Sequence, residues 1–361
     1  DKVFRWALSD GIPSAKKKYK FSLRFMKRPD VLAVVVLGLV GAVEQEVAPE
    51  QFVVAGYAPE YRLDSLNLPV IGSSLSHALL FSVSPRPNGT LDTGRLSTMH
   101  LMQAGRAKKK QPHLRVLVSV GGGGRSESFR ALSEDAKARG RFAKALAAYC
   151  TKRRLQGADL DWEAPSSPKE AAAYEKLLNR VRSEFSKSSP RLELTMAMHT
   201  GGHVQLLRKA ATHVDRVHLM AYDMPDADER GRHSTEQAAK DAVAFAISVG
   251  IPREKLVLGI PMYGRDTSNP GHAETYRELR PKRRPEDMED FVGSIFYNGP
   301  STVRRKAAFA AEQGLAGVFF WELGQVSGAG GSVRVCSPLA THHSPLTFTM
   351  PPLTVPIAVA G

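Results

Sequence analysis

Eight short apolar segments, rich in β-branched residues, recur along the chain from residue 51 onward, and each predicts a buried strand. They are segments 52–57, 77–83, 114–120, 157–163, 192–198, 216–222, 255–263 and 317–323. Between them, apolar residues recur at helical spacing, most clearly in segments 139–153, 169–185, 235–250 and 302–314. Several of these helical segments close on Gly or precede Pro, as helices commonly do at their ends. This alternation predicts parallel strands joined by crossover helices.

Eight such strands within residues 51–325 favour a closed (β/α)8 barrel, an α/β fold of this size and strand number. The competing architecture is an open doubly wound sheet, which usually carries a Gly-rich phosphate turn after its first strand. Here that position holds "GYAPEYR" (56–62). The later "GGGGRS" (121–126) is not followed by the Gly-Lys-Ser/Thr that completes a nucleotide-binding loop. The barrel is therefore the preferred fold, and no nucleotide site is expected.

The start of the chain has the pattern of a targeting segment. A basic run precedes thirteen apolar residues, "VLAVVVLGLVGAV" (31–43), and a polar stretch follows. This pattern predicts a signal peptide over 26–43, cleaved near Ala42, with 1–25 as a basic extension. An uncleaved membrane anchor is the alternative, although thirteen residues are few for crossing a bilayer. We expect a protein that is secreted, or that resides in an endomembrane lumen.

The end of the chain, residues 326–361, departs from the strand and helix repeat. It contains Pro and Gly throughout, and no segment of it predicts the eighth helix that a complete barrel needs. The composition indicates either a disordered tail or a coding sequence that is wrong at this end.

Composition adds a strong positive charge, with Lys and Arg exceeding Asp and Glu by 14. Residues 1–30 hold nine Lys or Arg against three Asp, and the rest of the excess is scattered. No aromatic residues are interleaved with its small clusters at 106–110 and 282–284. This pattern favours a solvated surface over a nucleic-acid interface. Two cysteines, Cys150 and Cys336, are too few for a disulfide framework or a metal knuckle. We expect a monomer with no cofactor, no metal and no nucleic-acid partner.

One predicted strand, "GADLDWE" (157–163), carries three acids at every second position. Because side chains alternate across a strand, Asp159, Asp161 and Glu163 share one face, and Trp162 points to the other. In a barrel the three carboxyl groups would point inward, with Glu163 reaching the C-terminal rim where barrel active sites lie. Like charges at this spacing raise at least one carboxyl pKa, which is what a general acid requires.

Three other uses of the acidic triplet remain open. A calcium loop also spaces acids by two, but it needs turn residues and a Gly that this segment lacks. A magnesium site and a solvated acidic strand edge are the remaining alternatives.

The segment 156–163 resembles the D-x-x-D-x-D-x-E signature of glycoside hydrolase family 18, the chitinases and their relatives. Other segments resemble further strands of that family in the same order: "GYAPEYR" (56–62), "VLVSVGG" (116–122), "LMAYD" (219–223), "GIPMYGR" (259–265) and "FFWELGQ" (319–325). The resemblance covers residues 51–325. It implies a secreted hydrolase that cleaves β-1,4-linked N-acetylglucosamine bonds in chitin, chito-oligosaccharides or related glycans.

The resemblance also implies a role for each acid. Glu163 matches the residue that protonates the glycosidic oxygen, Asp161 the carboxyl that stabilises an oxazolinium intermediate, and Asp159 its proton-sharing partner. The nucleophile is then the acetamido oxygen of the substrate, and the anomeric configuration is retained. Tyr222 would position that acetamide. The residues implied in substrate binding are Tyr57, Ser119, Met220, Asp223, Tyr263, Arg265 and Trp321. Tyr222 and Trp321 also have a simpler interpretation as core aromatic residues.

Two departures from the family pattern matter for function. Gln156 occupies the position of the first Asp of the signature, which affects tuning and stability more than chemistry because it lies furthest from the reacting bond. The segment after the seventh strand is too short for the large inserted α+β domain of many members, so a shallow cleft is expected. The chain has only three tryptophans, so no aromatic track for a long polymer is evident. Short chito-oligosaccharides or the chitobiose core of glycans are therefore the expected substrates. A sugar-binding lectin on the same barrel is the alternative.

Overall fold

The computed structural model describes residues 52–224, 230–284 and 289–326, with the backbone of 334–335 and 348–349. The predicted extension (1–25), the leader (26–43), Cys336 and almost all of the tail lie outside the described residues. The strands are β1 (Val53–Pro59), β2 (His77–Pro85), β3 (Leu91–Asp92), β4 (Arg115–Gly121), β5 (Gly157–Asp161), β6 (Glu193–His199), β7 (Arg216–Met220), β8 (Leu256–Pro261), β9 (Tyr263–Asp266), β10 (Ala273–Thr275), β11 (Phe291–Val292), β12 (Ile295–Tyr297), β13 (Gly317–Trp321), β14 (Arg334–Val335) and β15 (Phe348–Thr349).

Eight of these strands, β1, β2, β4 to β8 and β13, are parallel and close into a barrel. β1 closes it by pairing on one side with β13, where Val53 lies opposite Gly317, and on the other with β2, where Ala55 lies opposite His77. The barrel fold and all eight predicted strands are confirmed. The fourth predicted strand ends at Asp161, two residues earlier than expected. These strands could be predicted from the sequence because both of their faces are buried, which gives nearly continuous apolar runs.

Helices cover the outside of the barrel. They are α1 (Glu60–Leu63), α2 (Leu68–Ile71), α3 (Thr98–Lys110), α4 (Ser128–Glu134), α5 (Ala136–Arg153), α6 (Pro168–Phe185), α7 (Gly202–Leu207), α8 (Glu236–Ser248), α9 (Tyr276–Leu279) and α10 (Pro300–Glu312). The four predicted helical segments are confirmed as α5, α6, α8 and α10, although 235–250 and 302–314 extend up to two residues beyond α8 and α10. Polar side chains cap three of the long helices, since Ser97, Ser167 and Thr235 each accept a hydrogen bond from a backbone N–H of the first turn. No helix among the described residues is long and apolar enough to span a membrane.

The alternation of side chains along β5 places the acids inside the barrel and their neighbours outside. Asp159 and Asp161 are buried within it. Trp162 packs in the outer layer, as predicted, with its ring stacked on Phe129 at 5.8 Å and edge-on to Tyr174 at 5.3 Å. These aromatic contacts fix the outer face of β5, and therefore the direction in which the acids point.

The segment after β8 is small, as predicted, but it is more than a loop. Strands β9 to β12 form an antiparallel sheet in the order β10-β9-β12-β11. This sheet has its own apolar cluster, made by Leu279, Val292, Ile295 and Tyr297. Strands of two to four residues carry too little periodicity to be recognised in the sequence.

Glu193 centres a buried ionic cluster at the N-terminal end of the barrel. Its carboxylate accepts hydrogen bonds from Arg115 at 2.7 Å and from Arg216, and it lies 3.3 Å from His77. Burial alone would raise the pKa of Glu193, but His77 and the two guanidinium groups together hold it well below its ordinary value. The cluster therefore depends on an ionised Glu193.

We expect Glu193→Gln to lower the free energy of unfolding at pH 7 by about 3 kcal/mol, because it removes the negative charge that pairs with the largely buried Arg216 guanidinium. Urea unfolding would measure this, with Glu312→Gln, an exposed carboxylate on α10, as the control. The difference in free energy of unfolding between the unmutated protein and E193Q should narrow as the pH falls below 4.5, the ordinary pKa of Glu. In that range the carboxyl group of Glu193 takes up a proton in the unfolded state and stays ionised in the folded state. Equal stabilities at pH 7 would contradict the prediction.

Candidate active site

A cleft of about 250 Å³ opens at the C-terminal end of the barrel strands. Its lining residues are Tyr57, Tyr61, Phe81, Gly123, Arg125, Asp161, Glu163, His199, Met220, Tyr222, Asp223 and Trp321. The cleft brings together seven residues that the sequence analysis singled out: Tyr57, Asp161, Glu163, Met220, Tyr222, Asp223 and Trp321. This is the end of the barrel at which catalytic residues of the fold collect.

Asp159 lies below the cleft, fully buried in the barrel. Its carboxyl group accepts hydrogen bonds from the hydroxyl groups of Tyr57 at 2.9 Å and Thr195 at 2.6 Å, and Ser119 lies at 3.4 Å. The Nδ1 atom of His218 lies 3.3 Å away. Four neighbouring polar groups thus fix Asp159 in one orientation.

Ser119 was implied as a substrate-binding residue, and the structure places it elsewhere. Its side chain is fully buried, and its hydroxyl group points to Asp159 below the cleft. Ser119 therefore belongs with Thr195 and His218, which hold Asp159 in place. Tyr57 belongs both to the cleft and to the region below it, because its ring lines the cleft and its hydroxyl group donates to Asp159.

Asp161 is 2% exposed and occupies the floor of the cleft. Burial raises the pKa of Asp161 well above its ordinary value, and the carboxyl groups of Glu163 and Asp159 raise it further. Its Oδ1 atom has no hydrogen-bond partner among the described residues. A buried carboxyl oxygen without a partner is costly, and such groups are retained where they serve a function.

A close approach by the backbone after β4 helps to enclose Asp161. Gly122 has a φ of +92°, and a Cβ atom there would lie 2.2 Å from the Phe81 ring and 3.4 Å from Asp161 Oδ2. Only glycine fits this position without displacing the ring. The Gly-rich segment "GGGGRS" therefore shapes the wall of the cleft.

Glu163 lies two residues beyond the end of β5, and 26% of its side chain is exposed. Its backbone N–H donates to the Ser126 hydroxyl group at 3.3 Å. Its Oε2 atom lies 3.6 Å from His199 Nε2, at the end of β6. Glu163 is thus an accessible acid at the mouth of the cleft, directly above the buried Asp161.

Asp223 projects into the cleft from beyond β7, in a left-handed backbone conformation with a φ of +56°. It accepts hydrogen bonds from Tyr263 at 2.7 Å and from the Arg265 Nη2 atom at 2.9 Å, and His233 Nδ1 lies at 3.4 Å. Burial acts to raise the pKa of Asp223, but these three partners hold it well below its ordinary value. Tyr263 and Arg265 do not line the cleft, and they reach it through Asp223.

A buried lysine supports this side of the cleft from behind. Lys306, on α10, is fully buried and donates to Ser234 O at 3.0 Å, to Ser234 Oγ at 2.8 Å and to Asn298 Oδ1 at 2.7 Å. Ser234 in turn donates to Ala221 O at 2.7 Å, directly before Tyr222. Burial lowers the pKa of Lys306 to about 7. Lys306 therefore fixes the segment that carries His233 and backs Tyr222.

Five cleft residues were missed in the sequence: Tyr61, Phe81, Gly123, Arg125 and His199. Arg125 pairs with Glu60 at 2.8 Å, while Tyr61 is 58% exposed. Tyr61, Arg125 and His199 lie at or just beyond strand ends on the C-terminal side of the barrel, so their position after a predicted strand was the available signal.

Gln156 lies at the opposite end of β5 from the cleft. Its Oε1 atom accepts from the backbone N–H of Val116 at 2.8 Å, and its Nε2 atom donates to Arg154 O at 3.1 Å. Its place in the signature is thus far from the reacting groups, as expected. Among the described residues, no group of three or more His, Cys, Asp or Glu side chains is arranged to hold a metal ion.

Known proteins resemble this chain over the barrel. The family model described as "Glycosyl hydrolases family 18" matches residues 53–325. Probable chitinase 2 of Drosophila melanogaster is 30% identical over 176 residues, 44% of this chain and 36% of that protein. The chain spans 36% and 66% of the lengths of two curated relatives that it matches.

Solved structures share the fold. A plant class V chitinase mutant from Cycas revoluta, in complex with (GlcNAc)3, has a TM-score of 0.66 and 24% identity over 76% of this chain and 95% of that one. The chitinase-like agglutinin RobpsCRA from Robinia pseudoacacia has a TM-score of 0.67 and 23% identity over the same shares. These similarities concern the barrel as a whole.

Proposed function

The chain belongs to the glycosyl hydrolases of family 18, and we propose that it is a chitinase-type enzyme that hydrolyses β-1,4 bonds between N-acetylglucosamine units. The observation that carries this proposal is the pairing of two carboxyl groups of different character. Glu163 is partly exposed at the mouth of the cleft, while Asp161 is buried beneath it with a raised pKa and a free oxygen. Carboxyl groups in contrasting environments are typical of acid and charge-stabilising roles in one site.

The reaction that fits these groups needs no enzymic nucleophile. Glu163 donates its proton to the glycosidic oxygen as the bond to the anomeric carbon breaks, and the acetamido oxygen of the same sugar attacks that carbon. Asp161 passes its proton to its partner Asp159, accepts a hydrogen bond from the acetamido N–H and balances the positive charge of the oxazolinium intermediate. Glu163, now ionised, then removes a proton from a water molecule as the water oxygen attacks the anomeric carbon. The bond from that carbon to the acetamido oxygen breaks, which opens the oxazolinium ring and restores the original anomeric configuration.

Aromatic residues and Asp223 complete the site. Burial keeps the pKa of Tyr222 well above its ordinary value, helped by the neighbouring Tyr263, so Tyr222 stays a neutral donor for the acetamido oxygen. Trp321 packs edge-on to Phe81 at 4.9 Å and lies 5.4 Å from Tyr57, which gives a fixed apolar floor for a sugar ring. Asp223, ionised and rigidly held, accepts from sugar hydroxyl groups.

The direct test is hydrolysis of a chromogenic chitobioside, followed by product analysis on N-acetylglucosamine oligomers. Release of the β-anomer as first product supports the proposal. A lectin on the same barrel is the second candidate, because the chain also resembles an agglutinin. Saturable binding of chitotriose without any cleavage would establish the lectin and end the enzyme proposal.

The size of the cleft favours short substrates. Its volume of about 250 Å³ lies below the usual range of ligand sites, and Tyr61 is an exposed aromatic residue in its lining. We therefore propose short chito-oligosaccharides or the chitobiose core of glycans as substrates. Similar rates on the di-, tetra- and hexasaccharide would support this, and a steep rise with length would point to polymeric chitin.

We expect Lys306→Met to lower kcat/KM on the chitobioside about tenfold, because it releases the segment that backs Tyr222 and carries His233. Methionine keeps the length of the side chain and removes the three hydrogen bonds. Lys176→Met, at an exposed position on α6, is the control. An unchanged kcat/KM with a lower urea midpoint would assign Lys306 to stability alone.

We also propose export, which rests on the sequence of residues 26–43 alone. After expression of the full chain in eukaryotic cells, N-terminal sequencing of the protein in the medium should begin near Val43. Recovery of the uncleaved chain from the membrane fraction would favour the anchor instead.

A further inference from the structure

A second cavity, of about 480 Å³, lies at the opposite end of the barrel from the cleft. It opens where β4, β5 and β6 begin, since Arg115 is the first residue of β4, and Gln156 and Leu192 immediately precede β5 and β6. Its volume is larger than that of the cleft and within the range of small-molecule sites. Its chemistry is independent of the acidic triplet.

The charged residues lining this cavity, which we term the basic pocket, are all cations: Lys108, Arg115, Arg154 and Arg191. Arg115 and Arg191 pair with carboxylates outside the lining, Glu193 at 2.7 Å and Asp215 at 2.9 Å. The Lys108 ammonium donates to the backbone carbonyl of Arg154, at 2.8 Å. Within the described chain, neither Lys108 nor Arg154 has a carboxylate in ion-pair range.

The cations are close enough to repel one another. Burial lowers the pKa of Lys108, and the positive charges of Arg115 and Arg154 lower it further. Gln156 lines the same pocket with a neutral amide, although the signature that 156–163 resembles has an acid at this position. The lining thus holds no acid that offsets Lys108 and Arg154, and a bound anion would relieve the repulsion between them.

Cations at helix C-termini have a simpler explanation, since they offset the helix dipole. Lys108 lies in the last turn of α3, and Arg154 caps α5. However, Lys109 and Lys152 already place exposed charges on the same two turns. The dipole accounts for neither the cavity nor the absence of acids from its lining.

We propose that the basic pocket binds a small polyvalent oxyanion, with sulfate or phosphate groups carried on a molecule about the size of a disaccharide. Guanidinium groups bind such oxyanions through paired N–H donors, and Arg154 and Arg191 supply them. Ser188 and Ser189 in the lining add hydroxyl donors. The site lies on the face opposite the cleft, so binding and hydrolysis are separable.

Isothermal titration of the full chain with inorganic tripolyphosphate and with a sulfated heparin disaccharide tests the proposal. We expect the double variant K108Q/R154Q to bind at least tenfold more weakly, while K109Q/K152Q, which removes the same charge from the same two helices, stays within twofold. Both should hydrolyse the chitobioside like the unmutated protein. Equal weakening in both variants, or no binding of either probe by the unmutated chain, would overturn the site. The tighter probe identifies the oxyanion.

A second pair of variants keeps every cation and guards against misfolding. Ser188→Asp places a carboxylate in the basic pocket, whereas Ser186→Asp places one on the exposed surface two residues away. We expect S188D to lose binding of the preferred probe and S186D to retain it, while both variants show a cooperative thermal transition without ligand. Equal binding by the two variants would contradict the proposal.

Discussion

Glu163→Gln is expected to lower kcat on a chromogenic chitobioside by about 1,000-fold or more, because an amide cannot transfer the proton that the leaving oxygen requires. The substitution keeps the shape of the side chain and its 26% exposure, so the cleft should remain intact. Binding of chitotriose, measured by calorimetry, should stay within a fewfold of the unmutated protein. Glu163 would then be assigned to the chemical step alone.

The control is Glu312→Gln, which makes the same chemical change at an exposed position of α10 and should leave kcat unchanged. Parallel loss of kcat and of chitotriose binding in E163Q would show a distorted cleft and would require a different donor. If the unmutated protein binds chitotriose and does not cleave the chitobioside, the protein is a lectin and Glu163 has no catalytic role.

The barrel and its acids could be predicted because both follow from strong local patterns. Strands buried on two faces give apolar runs, and Asp159 and Asp161 interrupt one such run at strand spacing. The direction of Trp162 followed from the same alternation. What the pattern overestimated was the length of this strand, since the chain leaves the sheet after Asp161, before Glu163.

Other features lay beyond these patterns. Tyr61 lines the cleft from the short helix α1 and His199 from the last position of β6, where no periodicity marks a residue. The small sheet of β9 to β12 depends on pairing between strands too short to recognise. The signal for Lys306 was present, because it lies three residues after Val303 and four before Ala310, on the buried stripe of α10. In the sequence, a lysine on such a stripe looks like a surface residue. Its burial became clear only from its three hydrogen-bond acceptors in the structure.

Asp161→Asn is expected to lower kcat about 100- to 1,000-fold, because the intermediate loses the negative charge that balances its positive ring. The same change should stabilise the folded protein at neutral pH. The carboxyl is buried beside Asp159 and Glu163, and an amide removes that repulsion and can donate to a neighbouring acid. A gain of about 2 °C in melting temperature would correspond to roughly 1 kcal/mol.

The direction of this change in stability follows from the raised pKa of Asp161. Because the folded pKa of Asp161 is raised above its ordinary value of 3.8, the folded state holds more protons than the unfolded state above that pH. The stability of the unmutated protein therefore falls with rising pH through this window, and D161N lacks that loss. The stability difference should be small near pH 4 and grow toward pH 7. If D161N were less stable at every pH, Asp161 would be a structural anion; if it were equally active, it would have no part in the reaction.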